Sequence, residues 1–194
     1  MPPRDPDHTR SRLITIARGL FAERGYAQVG TQEIVRRAGV TRGALYHHFE
    51  DKRDLFRAVH EQIEAELAES IGAKIAAEAE AGTDARDVLA IGARAFLDAC
   101  ENPELARIAL VDAPSVLGWI EWREIDERHG LGLVIAALQL GMDSGGLRRT
   151  PIKPLAHLPL GALGEAGMVI ATAEEPAAAR GEVEPALLGL IDGL

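Results

Sequence analysis

The sequence predicts an all-α fold of about nine helices: an N-terminal three-helix unit containing a helix-turn-helix, then a larger helical body. Three observations predict it. Apolar residues recur at helical spacing from residue 13 to the C-terminal end. No run alternates apolar and polar residues as a half-buried strand would. Glycines and short polar caps fall where each helical pattern stops and the next begins.

The elements follow in order. Leu13, Ile16, Ala17, Leu20 and Phe21 lie at i, i+3, i+4, i+7 and i+8, one stripe of an amphipathic first helix that Gly25 ends. Thr31 to Ala38 forms a short second helix burying Ile34, Val35 and Ala38, and Gly39 stops it. Gly30 is a tolerable N-cap for it, with Glu33 placed to reach back to its N–H. Thr41 caps a third helix, Arg42 to His48, with Leu45 and Phe49 inward. Asp51 caps a long fourth, whose Phe56, Val59, Ile63, Leu67, Ile71 and Ile75 keep one face apolar until Gly82.

A fifth helix begins at Asp84 and stops at Asn102-Pro103, because the residue before proline avoids the α region. A short helix with Leu105, Ile108 and Ala109 runs to Pro114, and a longer one from Ser115 to Met142, weakest at Gly130 and Gly132. Residues 143–153 form a loop. The last two helices span about 154–173 and 176–194, with Pro185 expected to kink or delay the second. The domain boundary falls inside the fourth helix, giving units 8–55 and 56–194 that share one rigid element.

Composition narrows the function. The single cysteine excludes an intramolecular disulfide framework and fits a reducing compartment. No stretch reaches 18 consecutive apolar residues, and the opening Met1-Pro-Pro-Arg-Asp-Pro-Asp-His has no apolar core of a leader. A cytoplasmic protein without a membrane partner is expected. Net charge is −9, but residues 1–60 carry +4 and residues 61–194 carry −13. A basic piece on an acidic body hints at nucleic acid, although charge alone favours a surplus without meaning.

Catalysis has little support. Cys100 has no histidine near it in sequence and reads as a buried structural thiol. Asp126 and His129 are one turn apart, too few ligands for a metal, and read as a solvated face. Gly130-Leu-Gly132 lacks the third glycine and the preceding strand of a dinucleotide loop. No enzyme activity and no cofactor are expected.

Residues 31–48 carry the chemistry. Two short helices joined by Gly39-Val40-Thr41 make a helix-turn-helix, whose second helix, about 10–12 Å across, fits a major groove about 12 Å wide. That helix exposes Arg42, Ala44, His47 and His48. Thr31 presents a hydroxyl and a backbone N–H at a helix N-terminus, suited to a phosphate, and Tyr46, His48 and Lys52 suit the groove rim. Tyr46 and His48 packing merely between helices is the plainer alternative. Arg36 and Arg37 read as a solvated face, and His8 and His60 have no evident role.

Here the sequence resembles a known family. The string Gly-Val-Thr-x-Gly-x-Leu-Tyr-x-His-Phe-x-x-Lys-x-x-Leu, from Gly39 to Leu55, is similar to the TetR family of transcriptional regulators, and the similarity covers roughly residues 10–56. The resemblance implies backbone contacts at Thr31, Tyr46, His48 and Lys52, and a groove-facing role for Arg42, Gly43, Ala44 and His47, with Thr41 at the turn. Arg42 is the best placed to read a guanine edge bidentately, and Gln32 reaches for an adjacent base. Gly30 departs from the Ser or Thr usual before this helix, which puts one phosphate contact in doubt.

The resemblance also implies a double-stranded operator with an inverted repeat, a homodimer, and a small-molecule effector held among the central helices. Phe96, Cys100, Trp119, Trp122, Met142 and Met168 are its expected lining, and the acidic body favours a neutral or cationic effector. An effector-blind dimer is the rival. Gly161, Gly164 and Gly167, with Met168, let a helix approach closely, and Leu187, Leu188 and Ile191 supply the ridge opposite, a four-helix dimer interface.

Overall fold

A computed structural model describes residues 6–80 and 82–194. The opening residues 1–5, on which the leader reading rests in part, lie outside the described residues. Every regular element among those described is helical.

Helices α1 (Pro6–Arg24), α2 (Thr31–Ala38) and α3 (Arg42–His48) form the N-terminal unit, and α4 (Lys52–Glu78) runs from it into the body. The unit's core is the predicted stripe: Leu13, Ala17, Leu20, Phe21, Ile34, Ala38 and Leu45 are all buried, with Leu55 and Phe56 of α4 closing it. Phe56 packs edge to face on Phe21 and Tyr26 at centroid distances of 5.3 and 5.1 Å, and Phe21 and Tyr26 lie tilted at 5.7 Å. Gly25 and Gly39 adopt φ of 75° and 61°, the left-handed geometry that ends a helix cheaply only at glycine. Thr41 Oγ1 accepts from Ala44 N at 3.1 Å and Asp51 from Asp54 N at 2.7 Å, so both predicted caps form.

Glu33 departs from expectation. It makes no cap bond to Gly30 and pairs instead with Arg24 at 2.7 Å, because the guanidinium at the end of α1 is a stronger partner than an exposed N–H. Arg36 and Arg37 are paired with Glu33 as well, at 3.8 and 3.4 Å, on the exposed face expected of them.

In the body, α5 (Ala85–Cys100) is followed by α6 (Pro103–Leu105), which passes directly into a π-helical stretch, Ala106–Asp112, and then α7 (Ala113–Leu117). Helix α8 (Trp119–Ser144) is unbroken across Gly130 and Gly132, so neither is a break. Gly130 instead admits α9: a Cβ there would lie 3.2 Å from Leu160 Cδ1. Helices α9 (Ile152–Thr172) and α10 (Pro176–Asp192) complete the fold, with Pro159 and Pro185 both inside helices. Pro185 therefore does not delay α10.

Helix α9 is long and apolar enough to cross a membrane by length and composition, at a mean hydropathy of 1.3, but only a third of that window is buried within the chain. It packs on α5, α8, α10 and the π-helical stretch, and leaves Leu158 and Val169 exposed. Gly167, Leu187 and Ile191, expected between protomers, are spent inside this one. Leu187 and Ile191 are buried, and Gly167 lies against Phe96 and Cys100, where an added Cβ would be 3.1 Å from either side chain. Packing of α9 and α10 on α5 and on one another takes up those small and apolar faces within the chain.

Candidate nucleic-acid interface and effector cavity

The recognition helix α3 presents an exposed face built from Arg42, Gly43, Tyr46 and His47, with Ala44 and His48 half-buried beside it. Leu45 and Phe49 anchor the opposite side in the core. The guanidinium of Arg42 lies 5.3 Å from the Tyr46 ring centroid, a contact that limits its rotamers. Hydrogen bonding to Thr31 and then to Arg42 holds the Tyr46 phenol below its ordinary range, so the start of α2 and the middle of α3 are tied by side chains. Thr31, Tyr46 and Arg42 are thereby brought together, and Gln32 is exposed next to them.

Lys52 sits differently. Its ammonium donates to the carbonyls of Tyr26 at 2.9 Å and Val29 at 3.0 Å, and lies 3.8 Å from the Tyr26 ring centroid. Burial lowers its pKa. Two of its three donors therefore fasten the α1–α2 connection to the start of α4, leaving one for a phosphate. Thr41 spends its hydroxyl as the α3 cap. Arg10 and Arg12 lie off the apolar stripe of α1, where periodicity alone gives them no role. Arg10 lies over the Phe49 ring at 5.3 Å, and Arg12 Nη2 would be 3.3 Å from a Cβ at Gly39, so both cations flank the helix-turn-helix.

The unit is bound tightly to the body. Arg18 donates to Glu66 at 2.6 Å and also to Glu104, and Tyr26 N donates to Asp112 at 2.7 Å. Arg53 donates to the carbonyls of Val116 and Leu117 and pairs with Glu121 in the first turn of α8. Arg57 pairs with Asp54 and Glu61.

Between α4, α5, α8 and α9 lies a cavity of about 70 Å³, room for roughly five waters. Its wall is mostly aliphatic, including Leu67, Ile71, Val88, Leu133 and Val134, with Phe96 and two carboxyl groups, Glu64 and Asp126. Of the six side chains expected to line an effector site, Phe96 lines this cavity. Trp119, Trp122 and Met168 line a separate surface groove between α8 and α9. Trp122 is largely buried, its indole donating to Ala109 O at 3.1 Å, while Trp119 is two-thirds exposed. Cys100 and Met142 are buried in packing and line neither space. Burial pushes the Cys100 thiol up to about 12, as an inert structural cysteine requires.

Asp126 is no solvated side chain. It is half-buried at the cavity wall, and desolvation raises it to about 6. Glu64 is pushed up to about 8 by burial and then by Asp126. His60 is fully buried, neither ring nitrogen has a hydrogen-bond partner, and burial lowers it to about 4. Sequence periodicity could not expose these groups, because Glu64 and Asp126 sit among the polar residues that long amphipathic helices are expected to carry. Only the crossing of α4 and α8 turns them inward.

A helix-turn-helix rigidly mounted on a helical body defines the class: the helix-turn-helix transcriptional regulators. Residues 13–59 match the family profile of bacterial regulatory proteins, tetR family, and residues 86–194 match the tetracyclin repressor-like C-terminal domain. The chain belongs to the TetR family. A TetR-family transcriptional regulator of Pectobacterium atrosepticum superposes over all of this chain and 97% of its own, with TM-score 0.86 and 36% identity. The HTH-type transcriptional regulator AcrR of Shigella flexneri is 40% identical over 65 residues, 34% of this chain, and the repressor BepR of Brucella suis 49% over 51 residues, 26% of it. Those matches span only 30% and 24% of the relatives' lengths. The structure of RolR with resorcinol shares the fold at TM-score 0.74 and 22% identity, covering 95% of this chain and 88% of its own.

Proposed function

We propose that this chain is a homodimeric repressor that binds an inverted-repeat operator through α2, α3 and the start of α4, and that a small molecule in the α4–α5–α8–α9 cavity releases it. The observation that carries the reading is continuity: α4 both begins beside the recognition helix and lines the cavity with Glu64, Leu67 and Ile71. A ligand that moves α4 or α8 therefore moves the helix-turn-helix. Arg53, clamped to α7 and α8, is the fixed point against which that motion registers. To lower operator affinity 100-fold, the effector must prefer the non-binding state by about 2.7 kcal/mol. RolR bound to resorcinol and the Bacillus subtilis FadR bound to stearoyl-CoA, both distant in sequence, lend the ligand reading support.

In this reading Arg42 reads a base edge, Gly43, Ala44, His47 and Gln32 border the groove, and Thr31, Tyr46, His48 and Lys52's remaining donor hold phosphates, with Arg10 and Arg12 added to them. The boundary between the DNA-binding unit, 8–55, and the body, 56–194, lies within α4. Dimerisation uses the outer faces of α9 and α10, where Leu158, Val169 and Leu190 are exposed and Gly161, Met168 and Leu188 are half-buried. Two-fold pairing there sets two recognition helices about one DNA turn, roughly 34–36 Å, apart. Selection from random duplexes at fixed salt tests the reading. Enrichment of an inverted repeat, with preference relaxed in Arg42→Ala, supports it; enrichment of no motif refutes it.

A further inference from the structure

The cavity's wall is chemically lopsided. Aliphatic side chains and Phe96 make up most of it, yet Glu64 and Asp126 open onto it from facing helices. Among the described residues Glu64 accepts no hydrogen bond; its near polar neighbour is His60 Nδ1 at 3.7 Å, beyond bonding reach. His60, one turn before Glu64 on α4, is wholly buried with both nitrogens unsatisfied, so it gives the Glu64 carboxyl no donor. The cation nearby is already committed: Arg123 lies 3.3 Å from Asp126 and 3.1 Å from Glu127. Gly130 keeps the space open beside Asp126, whose Oδ1 would be 3.8 Å from a Cβ there.

We propose that the effector is a small apolar amine, its ammonium donating to Glu64 and Asp126 and its hydrocarbon body lying among the aliphatic side chains of α4, α5, α8 and α9. This rests on reading the cavity as the effector site. Two carboxyl groups lining one space, of which only Asp126 has a cationic partner, give it a negative field once Glu64 ionises, and an ammonium both favours that ionised form and satisfies its acceptors. An anion would meet that field unaided. A neutral alcohol donates one hydrogen bond but gains nothing from the charge that Glu64 develops on ionising. The mostly apolar wall lowers the local dielectric, which strengthens the ion pair once formed.

Binding is then linked to protons. Glu64, pushed up to about 8, holds its proton at neutral pH in the empty cavity and gives it to the buffer when an ammonium enters. The groups facing it or sharing its field are His60 on α4, Cys100 on α5, Asp126, Arg123, Glu127 and His129 on α8, and His157 on α9, 3.2 Å from Glu127. Amine affinity therefore rises from pH 6 to 8.

The test uses n-butylamine, n-butanol and butyrate, matched in size to a cavity of roughly five waters, with the full chain and a selected operator. Calorimetry in two buffers of different ionisation enthalpy reads affinity and proton count, and anisotropy reads operator release. Expected is at least tenfold tighter binding of butylamine than butanol at pH 7, no butyrate binding, and release of about one proton. In Glu64→Gln the preference for amine over alcohol falls below twofold. Butanol binding as tightly as butylamine, or a preference untouched by Glu64→Gln, overturns the amine proposal while leaving the cavity a ligand site. Glu64-dependent amine binding without operator release upholds the ligand class and overturns the effector reading. Failure of all three compounds at 10 mM overturns both.

Discussion

Removing the Glu64 carboxyl should change how stability depends on pH, and the window can be worked out. Folding raises Glu64 from 4.5 to about 8, so its contribution is fully present below the unfolded value and is lost as pH rises through the folded one. Asp126, raised to about 6, acts in the same direction but is spent by that pH. His60, lowered from 6.5 to about 4, costs stability only as pH falls from 6.5 towards 4. Between pH 6.5 and 8.5 Glu64 therefore stands nearly alone among these three. Integrating proton loss from a group of folded pKa near 8 across that window gives about 2 kcal/mol. For a chain of this size that is a fall in Tm of about 4–8 °C. Thermal melts of wild type should show it, and Glu64→Gln should flatten it. A variant that loses Tm with rising pH as steeply as wild type would show that Glu64 is ionised already in the native state and that the cavity's polar end is wrongly described.

Three other variants have defined outcomes. Gly141→Ala places a Cβ 2.6 Å from Ala85 Cβ and from Leu147, so backbone must move; a loss of about 1–3 kcal/mol in urea unfolding is expected, and a neutral result would mean α5 and α8 are not packed as described. Lys52→Met removes two bonds to carbonyls and a cation over Tyr26, and should cost about 2 kcal/mol of stability as well as operator affinity. An unchanged Tm would make Lys52 a DNA contact alone. Leu158→Glu with Leu190→Glu puts charge on the outer faces of α9 and α10 and should convert a dimer to monomer in sedimentation velocity, with operator affinity lost alongside; an intact dimer would move the interface elsewhere.

The helices and the DNA-facing unit were legible in sequence because their signals are local. Leu13 to Phe21 write their stripe within one helix, and Gly25, Gly39, Thr41 and Asp51 each end or cap an element through their own backbone chemistry. The cavity was not legible in this way. Phe96 was found because aromatics are scarce in the body, but Glu64, Asp126 and His60 belong to helices whose crossings depend on small residues such as Gly92 and Gly130. The same blindness misplaced Gly167, Leu187 and Ile191: a small-residue face can be filled by the chain's own next helix as easily as by a partner. Lys52 was half legible, its charge evident but its tether to two carbonyls a matter of three-dimensional closure.

The most direct test is titration of the pure, ligand-free protein onto a fluorescent duplex at low ionic strength, repeated across a salt series. The account predicts saturable binding at two chains per inverted repeat, weakening steeply with salt as phosphates are released. No binding to any duplex at low salt, with the protein folded and dimeric, would contradict it.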